Sequence, residues 1–548
     1  MRAREALLQI LADEGVTCIF GNPGTTELPL MDELAGHLEF KYILSLQENT
    51  AVGMADGYAQ AARRPSFVNL HTVSGLGGGM GNIANAKENR APIVITAGQQ
   101  DRRHLLTEPM LSSDLVGIMR TLSKWQHEVR SADELGTVMR RAFRESVSPP
   151  AGPVFVSIPV DVLGEELAAI PPRSRITSPA APCGLEEVAE LLVATPIGKL
   201  ALVVGEEMAA AETFDDITQL AELLACPVYG TALYGAAVFP TDHPLWRGAV
   251  GSSASSIRET ARQYKRILLL GGPADHVYAY SPGPAFPPEV EILQLSNDVS
   301  QLGRTYAVQI GLVGDVPRAV QSLVPLVGAL ADRQASRRAV SARLAESEAT
   351  RSVLDDKACA RYSERPTNPM AAVHALLRAL PSDGVIVDES VSSAVYVRGM
   401  HRTRAPGAYY LSRGGGLGWA MPAALGVKLA EPERPVLCIV GDGAAMYSVQ
   451  ALYTAARYEL DVVFAVLNNG QYRILRQALL RAGGVSAKAD NFVAMDLSPP
   501  RIDYVALSAS LGVAAATATT PDEVTEITRA AFASGRPSLV NIPIQGML

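Results

Sequence analysis

Long apolar runs are missing from this 548-residue chain: no stretch of about twenty apolar residues occurs, so no membrane-spanning helix is expected. Cysteine is scarce and scattered. Cys18, Cys183, Cys226, Cys359 and Cys438 show neither CxxC nor CxxH spacing, which points away from a zinc site and from a disulfide framework and toward a reducing compartment. Cys18 and Cys438 fall within apolar strand patterns, where a thiol serves as a small hydrophobe. Basic blocks are absent, and the formal net charge of −8 argues against nucleic acid as a partner. The opening residues MRAREALLQILADEG lack the apolar core of a signal peptide, and Ala6, Leu7, Ile10 and Leu11 recur at helical spacing. The expectation is a cytoplasmic protein with neither a membrane nor a nucleic acid as partner.

What is present is apolar residue in quantity, 48% against 19% charged, in a chain too long for one core. From Val16 to Pro159, strand-like runs (VTCIF, KYILSL, SFVNL, PIVITAG, PVFVSIP) alternate with helical patterns. A second alternating series runs to about Val327 (KLALVVG, PVYGTA, KRILLLGG, VEILQLS, YAVQIGLVGD), and a third from Asn368 to the end (GVIVDES, AYYLSR, PVLCIVG, VVFAVL, SLVNIPI). IPPRSRITSPAAP reads as a linker, and the Ala-, Arg-, Glu- and Ser-rich stretch before Asn368 as a long connecting helix. The fold class expected is α/β, with three doubly wound parallel-sheet domains. Their boundaries are 1–165, a linker at 166–185, a central domain at 186–328, a linker helix at 329–367, and a last domain at 368–548. No GxGxxG follows a strand in the central domain, so a nucleotide there is not indicated.

The chemistry concentrates in Pro435 to Tyr472. An apolar run, Val436 to Val440, ends at Gly441-Asp442-Gly443, and a second, Val462 to Leu467, ends at Asn468-Asn469-Gly470. Two such runs flanking a helical pattern make a βαβ unit, whose parallel strands bring both polar ends to one sheet edge. Asp442 and, 27 residues on, Asn469 thereby become neighbours. A carboxylate, an amide oxygen and a loop carbonyl such as that of Gln471 are oxygen ligands that Mg²⁺ accepts, with diphosphate oxygens and water completing the octahedron. Gly441 and Gly443 let the backbone approach phosphate, and the helix that follows offers its N–H groups.

Three loops of the first domain stand out. Gly21 to Glu27 (GNPGTTE) is a tight βα turn in which Thr25 or Thr26 can cap the next helix or Thr25 can face a ligand. Glu48 opens a small-residue helix whose neighbours Ala51, Val52, Met54, Ala55 and Ala59 imply a buried carboxyl, able to share a proton with a ring nitrogen. His71 ends a strand and precedes a glycine-rich loop, Gly75 to Gly81, in which backbone can approach a ligand. In the last domain, Tyr410 to Ala424 (YLSRGGGLGWAMPAA) reads as a glycine-rich strand-to-helix turn, and Arg413 before it either pairs with a substrate carboxylate or lies at the surface.

GDG followed at this interval by NN resembles the diphosphate and Mg²⁺ signature of thiamine-diphosphate enzymes, and GNPG, LQE and NLH make the chain similar to the benzoylformate decarboxylase type. The likeness to acetolactate synthase large subunits, which lack the histidine, is more distant. The resemblance covers nearly the whole chain and implies the thiamine-diphosphate enzyme fold, with domain 1–165 binding the pyrimidine and domain 368–548 the diphosphate and Mg²⁺. It implies thiamine diphosphate and Mg²⁺ as cofactors, with metal ligands Asp442, Asn469 and Gln471. Cofactor contacts follow from Glu48, Gly415, Leu417, Gly441, Asp442, Gly443, Ala444, Asn469, Gln471 and Tyr472. Glu48 would protonate the aminopyrimidine, Leu417 would bend the cofactor, and the Gly415 carbonyl would accept from its amine. His71 and Thr25 would handle the substrate.

In the benzoylformate decarboxylase type a second active-site histidine lies in the central domain, and an ungapped match puts Tyr278 in its place, with His276 two residues earlier. Ala478 stands where that type has an aromatic pocket residue, and Asp490 to Tyr504 reads as a mobile cover. Some relatives hold FAD or ADP in the central domain, while this type leaves it empty, which is the expectation here. The implied activity is non-oxidative decarboxylation of a 2-oxo acid, with carboligation as a side or main reaction. The alternatives are an acetolactate-synthase-like ligase, a flavin-dependent oxidase and, remotely, a non-catalytic binding protein. The implied assembly is a homodimer or homotetramer with active sites at the subunit interface.

Overall fold

Runs of Val, Ile and Leu bounded by Gly, Pro or polar residues form the inner strands of three parallel sheets, buried on both faces by helices. The computed structural model describes residues 1–175, 180–209 and 213–546. Residues 176–179 of the expected linker, 210–212 of the expected central domain and 547–548 of the last lie outside the described residues. The chain divides into two bodies, one of residues 1–175, 361–394 and 412–548, the other of 176–360 and 395–411.

In the first body, β1 (Cys18–Gly21), β2 (Lys41–Leu44), β3 (Ser66–Leu70), β4 (Ile93–Gln99), β5 (Gln126–Glu128) and β6 (Val154–Pro159) form a sheet of order β2-β1-β3-β4-β6-β5. The second body holds β7 (Leu200–Val204), β8 (Val228–Gly230), β9 (Trp246–Ala249), β10 (Arg266–Leu270), β11 (Glu291–Ser296) and β12 (Ile310–Val313), in the order β12-β11-β10-β7-β8-β9. It also holds the helix Arg333–Cys359, where the connecting helix was expected, and β14 (Tyr409–Leu411), in which Tyr410 bridges Ala236. β13 (Val385–Glu389), β15 (Val436–Gly441), β16 (Val462–Asn468), β17 (Ala514–Thr517) and β18 (Ser538–Pro543) return to the first body and pair in parallel as β13-β15-β16-β18-β17.

Within the first body the two sheets are joined through the helices Glu48–Ala62 and Ala420–Ala430, and glycine sets how close these come. A Cβ on Gly57 would lie 2.2 Å from the Ala423 carbonyl oxygen, and one on Gly426 would lie 1.9 Å from that of Met54. Backbone touches backbone there, which a larger residue forbids. One expectation is corrected nearby. The glycine-rich stretch after His71 is not a loop but the helix Thr72–Glu88. Gly75, Gly78, Gly79 and Gly81 face the helix Glu48–Ala62, where a Cβ on Gly79 would stand 3.2 Å from Val52 and one on Gly81 3.1 Å from Asn49, whereas Gly77 has open space beside it.

Strands β5, β9 and β17, with sequences QHE, WRGA and AAAT, were not expected from the apolar pattern. Each is a partly exposed edge strand, so packing asks little hydrophobicity of it. No helix among the described residues is long and apolar enough to cross a membrane.

Candidate functional site

Asp442 and Asn469 each stand one step beyond the end of a strand, and those strands are neighbours, with Gly441 paired to Leu467. The Asp442 carboxylate is 4% exposed. Its Oδ1 accepts the N–H of Gly443 at 2.9 Å and its Oδ2 that of Gly470 at 2.7 Å. Burial pushes its carboxyl up, and the N–H groups of Gly443, Gly470 and Asn469 oppose that rise. Asn469 Oδ1 accepts the Gln471 N–H at 3.0 Å, and the Gln471 carbonyl accepts from Arg473 N–H at 2.9 Å. The helix expected after Gly443 is broken into one turn, Asp442–Ala445, and the helix Ala451–Arg457. Ala444 is buried in that turn. Tyr472 closes over Gly443, whose Cβ would meet its ring at 2.7 Å.

The expected cover is tied to this edge. Tyr472 N–H donates to Met495 O, Leu497 N–H donates to Gly470 O, and Tyr504 Oη donates to Asp442 O at 2.7 Å. Ala478 lies on the helix Arg473–Ala482.

The Arg413-to-Trp419 turn is held from two sides. Asn82, Asn85 and Asn89 recur at helical spacing along Thr72–Glu88 and its cap, so they share a face. Asn82 Nδ2 donates to Gly418 O at 3.2 Å, and Asn89 Oδ1 accepts from Arg413 N–H at 2.8 Å. Asn85 exchanges two bonds with the Gly416 peptide. From the other side the Glu389 carboxylate accepts from the N–H groups of Gly418, Trp419 and Ala420, capping the helix Ala420–Ala430. Burial pushes Glu389 up to about 7, against the pull of those three N–H groups. Gly415 takes φ +70° with open space beside it, and Leu417 is half-buried. Arg413, read as facing substrate or solvent, is buried.

At the C-terminal edge of the first sheet, Glu48 is half-buried rather than buried, because it is the first residue of its helix and its carboxylate reaches outward. Its Oε1 accepts from Asn22 Nδ2 at 3.1 Å. A Cβ on Gly78 would lie 2.7 Å from Glu48 Oε2, and one on Gly75 would lie 3.5 Å from both Glu48 Cγ and His71 Cβ. The two side chains therefore border one spot that glycine keeps clear. Thr25 and Thr26 cap nothing: Thr25–Glu27 is a turn of 3₁₀ helix with Gly24 before it, and the helix Leu28–Leu34 follows directly. Thr25 is exposed beside this edge, whereas Thr26 is buried and bonds to Glu27. Tyr278, in the second body, is 82% exposed, and its N–H donates to Ser252 O.

Four residues of the site had no place in the sequence reading. Glu27, Asp56 and Glu389 are carboxylates that hold N–H groups, and Asn85 pins the glycine turn; the asparagine spacing 82, 85, 89 was the available signal. Asp56 Oδ2 accepts from Trp419 Nε1 at 2.7 Å and from Asn89 Nδ2 at 2.8 Å, and Oδ1 accepts from Gln60.

Residues 1–118 match the description "thiamine pyrophosphate enzyme, N-terminal TPP binding domain", residues 185–323 its central domain, and residues 391–542 its C-terminal TPP binding domain. Over 98% of each chain the protein is 33% identical to benzoylformate decarboxylase of Pseudomonas aeruginosa. The chain belongs to the thiamine pyrophosphate enzyme family. It is also 26% identical to the acetolactate synthase isozyme 1 large subunit of Escherichia coli, over 93% of this chain and 88% of that one. The solved thiamine diphosphate-dependent 4-hydroxybenzoylformate decarboxylase of Rhodococcus jostii superposes with a TM-score of 0.88 at 28% identity, covering 100% of this chain and 99% of that one. The three doubly wound sheets are thus the fold of this family, which includes decarboxylases and acetolactate synthases, and this chain is a thiamine-pyrophosphate-dependent enzyme.

The residues at the two sheet edges fit the group this family carries. Asp442 is a nearly inaccessible carboxylate with N–H donors and no cationic side chain as partner among the described residues, a setting suited to a divalent cation. No cluster of three or more His, Cys, Asp or Glu side chains able to hold a metal occurs among the described residues, which leaves the oxygen donors of Asp442, Asn469 and Gln471. Glu48 Oε2 has no hydrogen-bond partner among the described residues and borders the space that Gly75 and Gly78 keep open.

Proposed function

We propose that this enzyme is a Mg²⁺-dependent, non-oxidative decarboxylase of a small 2-oxo acid, with carboligation of the product as a further activity. The observation that carries the reading is the shared spot between Glu48 and His71 at one sheet edge, each 3.5 Å from the Cβ position of Gly75. The contacts are made by Glu48 Cγ and His71 Cβ, so the stems of a carboxylate and an imidazole border one stretch of the edge, from which the two groups can serve the same bound molecule as acid and base. Bound thiamine diphosphate supplies the electron sink that loss of CO₂ requires.

The chain's own residues do the rest. Asp442, Asn469 and the Gln471 carbonyl would hold the cation, Gly441, Gly443 and Ala444 would let the backbone approach the diphosphate, and Tyr472 would close the side. Leu417 offers an apolar wedge and Gly415 a carbonyl on a turn that Asn85 and Glu389 fix. Glu48 holds the proton at the pyrimidine end through Oε2, while Asn22 occupies Oε1. His71 and Thr25 face the substrate, and Tyr278 stands in for the second histidine of benzoylformate decarboxylases as a hydroxyl donor.

The partners of Glu48 all come from residues 22 to 79, and those of Asp442 all from residues 443 to 504. The polar links between the two sheets run from Asn82, Asn85, Asn89 and Asp56 to the Arg413-to-Trp419 turn, and from Tyr42 and Leu44 to Tyr458 and Thr454, and among the described residues none of them engages the carboxylate of Glu48 or of Asp442. This supports an assembly in which a second copy supplies Glu48 to the cofactor held by Asp442, a homodimer at least.

The second reading is an acetolactate-synthase-like ligase that condenses two oxo acids, favoured by the loss of the second histidine at Tyr278. A flavin in the central sheet is disfavoured by Glu207, whose carboxylate takes the N–H groups of Gly272 and Asn297 and the Ser296 hydroxyl at the strand ends, where a diphosphate would need them. Incubating the protein with thiamine diphosphate, Mg²⁺ and a panel of 2-oxo acids separates the readings. CO₂ release first order in one oxo acid, yielding an aldehyde, supports the decarboxylase. A two-acid rate law yielding an acetohydroxy acid replaces it with the ligase.

A further inference from the structure

Glu27 is 2% exposed and lies outside every role assigned above. Its carboxylate gathers four donors from three separate segments. Oε1 accepts from the Thr26 hydroxyl at 2.7 Å and the Gly98 N–H at 3.1 Å, and Oε2 accepts from the Gly24 N–H at 2.9 Å. The fourth donor is His71 Nδ1, 2.9 Å from Oε2.

Two glycines exist at this point to make room. A Cβ on Gly98 would stand 2.2 Å from Glu27 Oε1, and one on Gly24 would stand 2.2 Å from the His71 ring. Backbone N–H groups fix the carboxylate, and the ring is seated flat against Gly24. An anchor so constrained sets the direction of whatever it holds.

The hydrogen count then settles the imidazole. A carboxylate oxygen is an acceptor, so the proton shared with it must be on Nδ1. The Thr26 hydroxyl, 3.1 Å from Nδ1, has given its hydrogen to Glu27 Oε1 and offers Nδ1 only a lone pair. Both neighbours of Nδ1 are acceptors. In the neutral ring Nε2 is left as a lone pair, and it has no partner among the described residues while the side chain keeps 19% of its surface exposed.

We infer that Glu27 is the positioning residue of His71, fixing both its ring orientation and the tautomer that presents Nε2 as an acceptor to the bound substrate. The inference rests on the reading that His71 works on the substrate, and it extends that reading to a residue that never touches it. It also accounts for Gly24 and Gly98 as members of one device.

Replacing Glu27 with glutamine keeps the shape and removes the certainty of an acceptor. With the amide nitrogen turned toward His71, Nδ1 must accept and Nε2 must carry the hydrogen. The test is ¹⁵N NMR of histidine-labelled protein without cofactor, at a pH well above the ordinary imidazole value of about 6.5. The His71 signals are assigned by their loss in His71→Gln. The Nδ1–H tautomer is expected in the unaltered protein, with a shift to Nε2–H or a mixture in Glu27→Gln. In the loaded enzyme kcat of Glu27→Gln is expected to fall at least tenfold, the lower range for a misplaced acid or base, with KM changed by less than about threefold.

An Nε2–H tautomer in the unaltered protein overturns the inference even if Glu27→Gln fails to fold. So does a Glu27→Gln protein that keeps both tautomer and kcat. Full turnover by His71→Gln defeats the parent reading of His71 instead, whatever the tautomer proves to be.

Discussion

Asn85 and Gly416 exchange two hydrogen bonds: Nδ2 of the side chain donates to the Gly416 carbonyl, and the Gly416 N–H donates back to Oδ1, each at 2.9 Å. A side-chain amide thereby mimics a neighbouring strand and locks the peptide between Gly415 and Leu417. Asn85→Ala removes both bonds, each worth about 1 kcal/mol net, so thiamine diphosphate affinity should weaken roughly fivefold to thirtyfold. Binding isotherms at fixed Mg²⁺ check this. Unaltered affinity would mean the turn holds its shape without Asn85.

Gly78→Ala separates folding from function. The added Cβ meets only the far end of a side chain, Glu48 Oε2 at 2.7 Å, so the carboxylate turns aside and the helix stays. Alanine is the better helix former by about 1 kcal/mol. The expected result is an unchanged or higher melting temperature with turnover reduced at least tenfold. An active and equally stable variant would show that the position of Oε2 does not matter.

Asp56 gives a pH signature with a definite sign. Burial raises its carboxyl to about 6, against the hydrogen bonds of Gln60, Asn89 and Trp419. Because the folded value lies above the ordinary one of 3.8, the folded state holds this proton more tightly, and stability falls as pH rises from about 4 to about 6. Asp56→Asn has no such proton: its Oδ1 can face Trp419 and Asn89 while Nδ2 faces Gln60, whose amide can turn. Relative to the unaltered protein it should gain up to about 3 kcal/mol between pH 4 and pH 7, measured by urea titration at each pH. A difference independent of pH would show that Asp56 does not titrate in this window.

If a second copy completes the site, two dead variants should revive each other. Glu48→Gln and Asp442→Asn, each inactive alone, would on subunit exchange form mixed dimers with one intact site. About a quarter of the sites would be active after random reassortment. No recovery after proven exchange would place Glu48 and Asp442 of one chain on the same cofactor.

The site was legible in sequence where adjacency follows from topology. Asp442 and Asn469 end neighbouring parallel strands, and apolar runs with short loops force that pairing. What escaped was set by packing rather than by pattern. Gly75 to Gly81 looks like a loop because glycine weakens an isolated helix, yet here contact with Glu48, Asn49 and Val52 selects the helix. Glu27 and Glu389 look like ordinary acidic residues until distant N–H groups converge on them. The edge strands β5, β9 and β17 carry too little apolar sequence to be seen, since solvent takes one side.

The central claim is that Asp442 and Asn469 hold a divalent cation that binds the diphosphate of thiamine diphosphate. Calorimetry on protein stripped with a chelator tests it most directly. Saturable uptake of thiamine diphosphate is expected when Mg²⁺ is added, with weak or no uptake without it and loss of the Mg²⁺ effect in Asp442→Asn. Uptake that is equally strong with and without Mg²⁺, or none in well-folded protein under either condition, would contradict it.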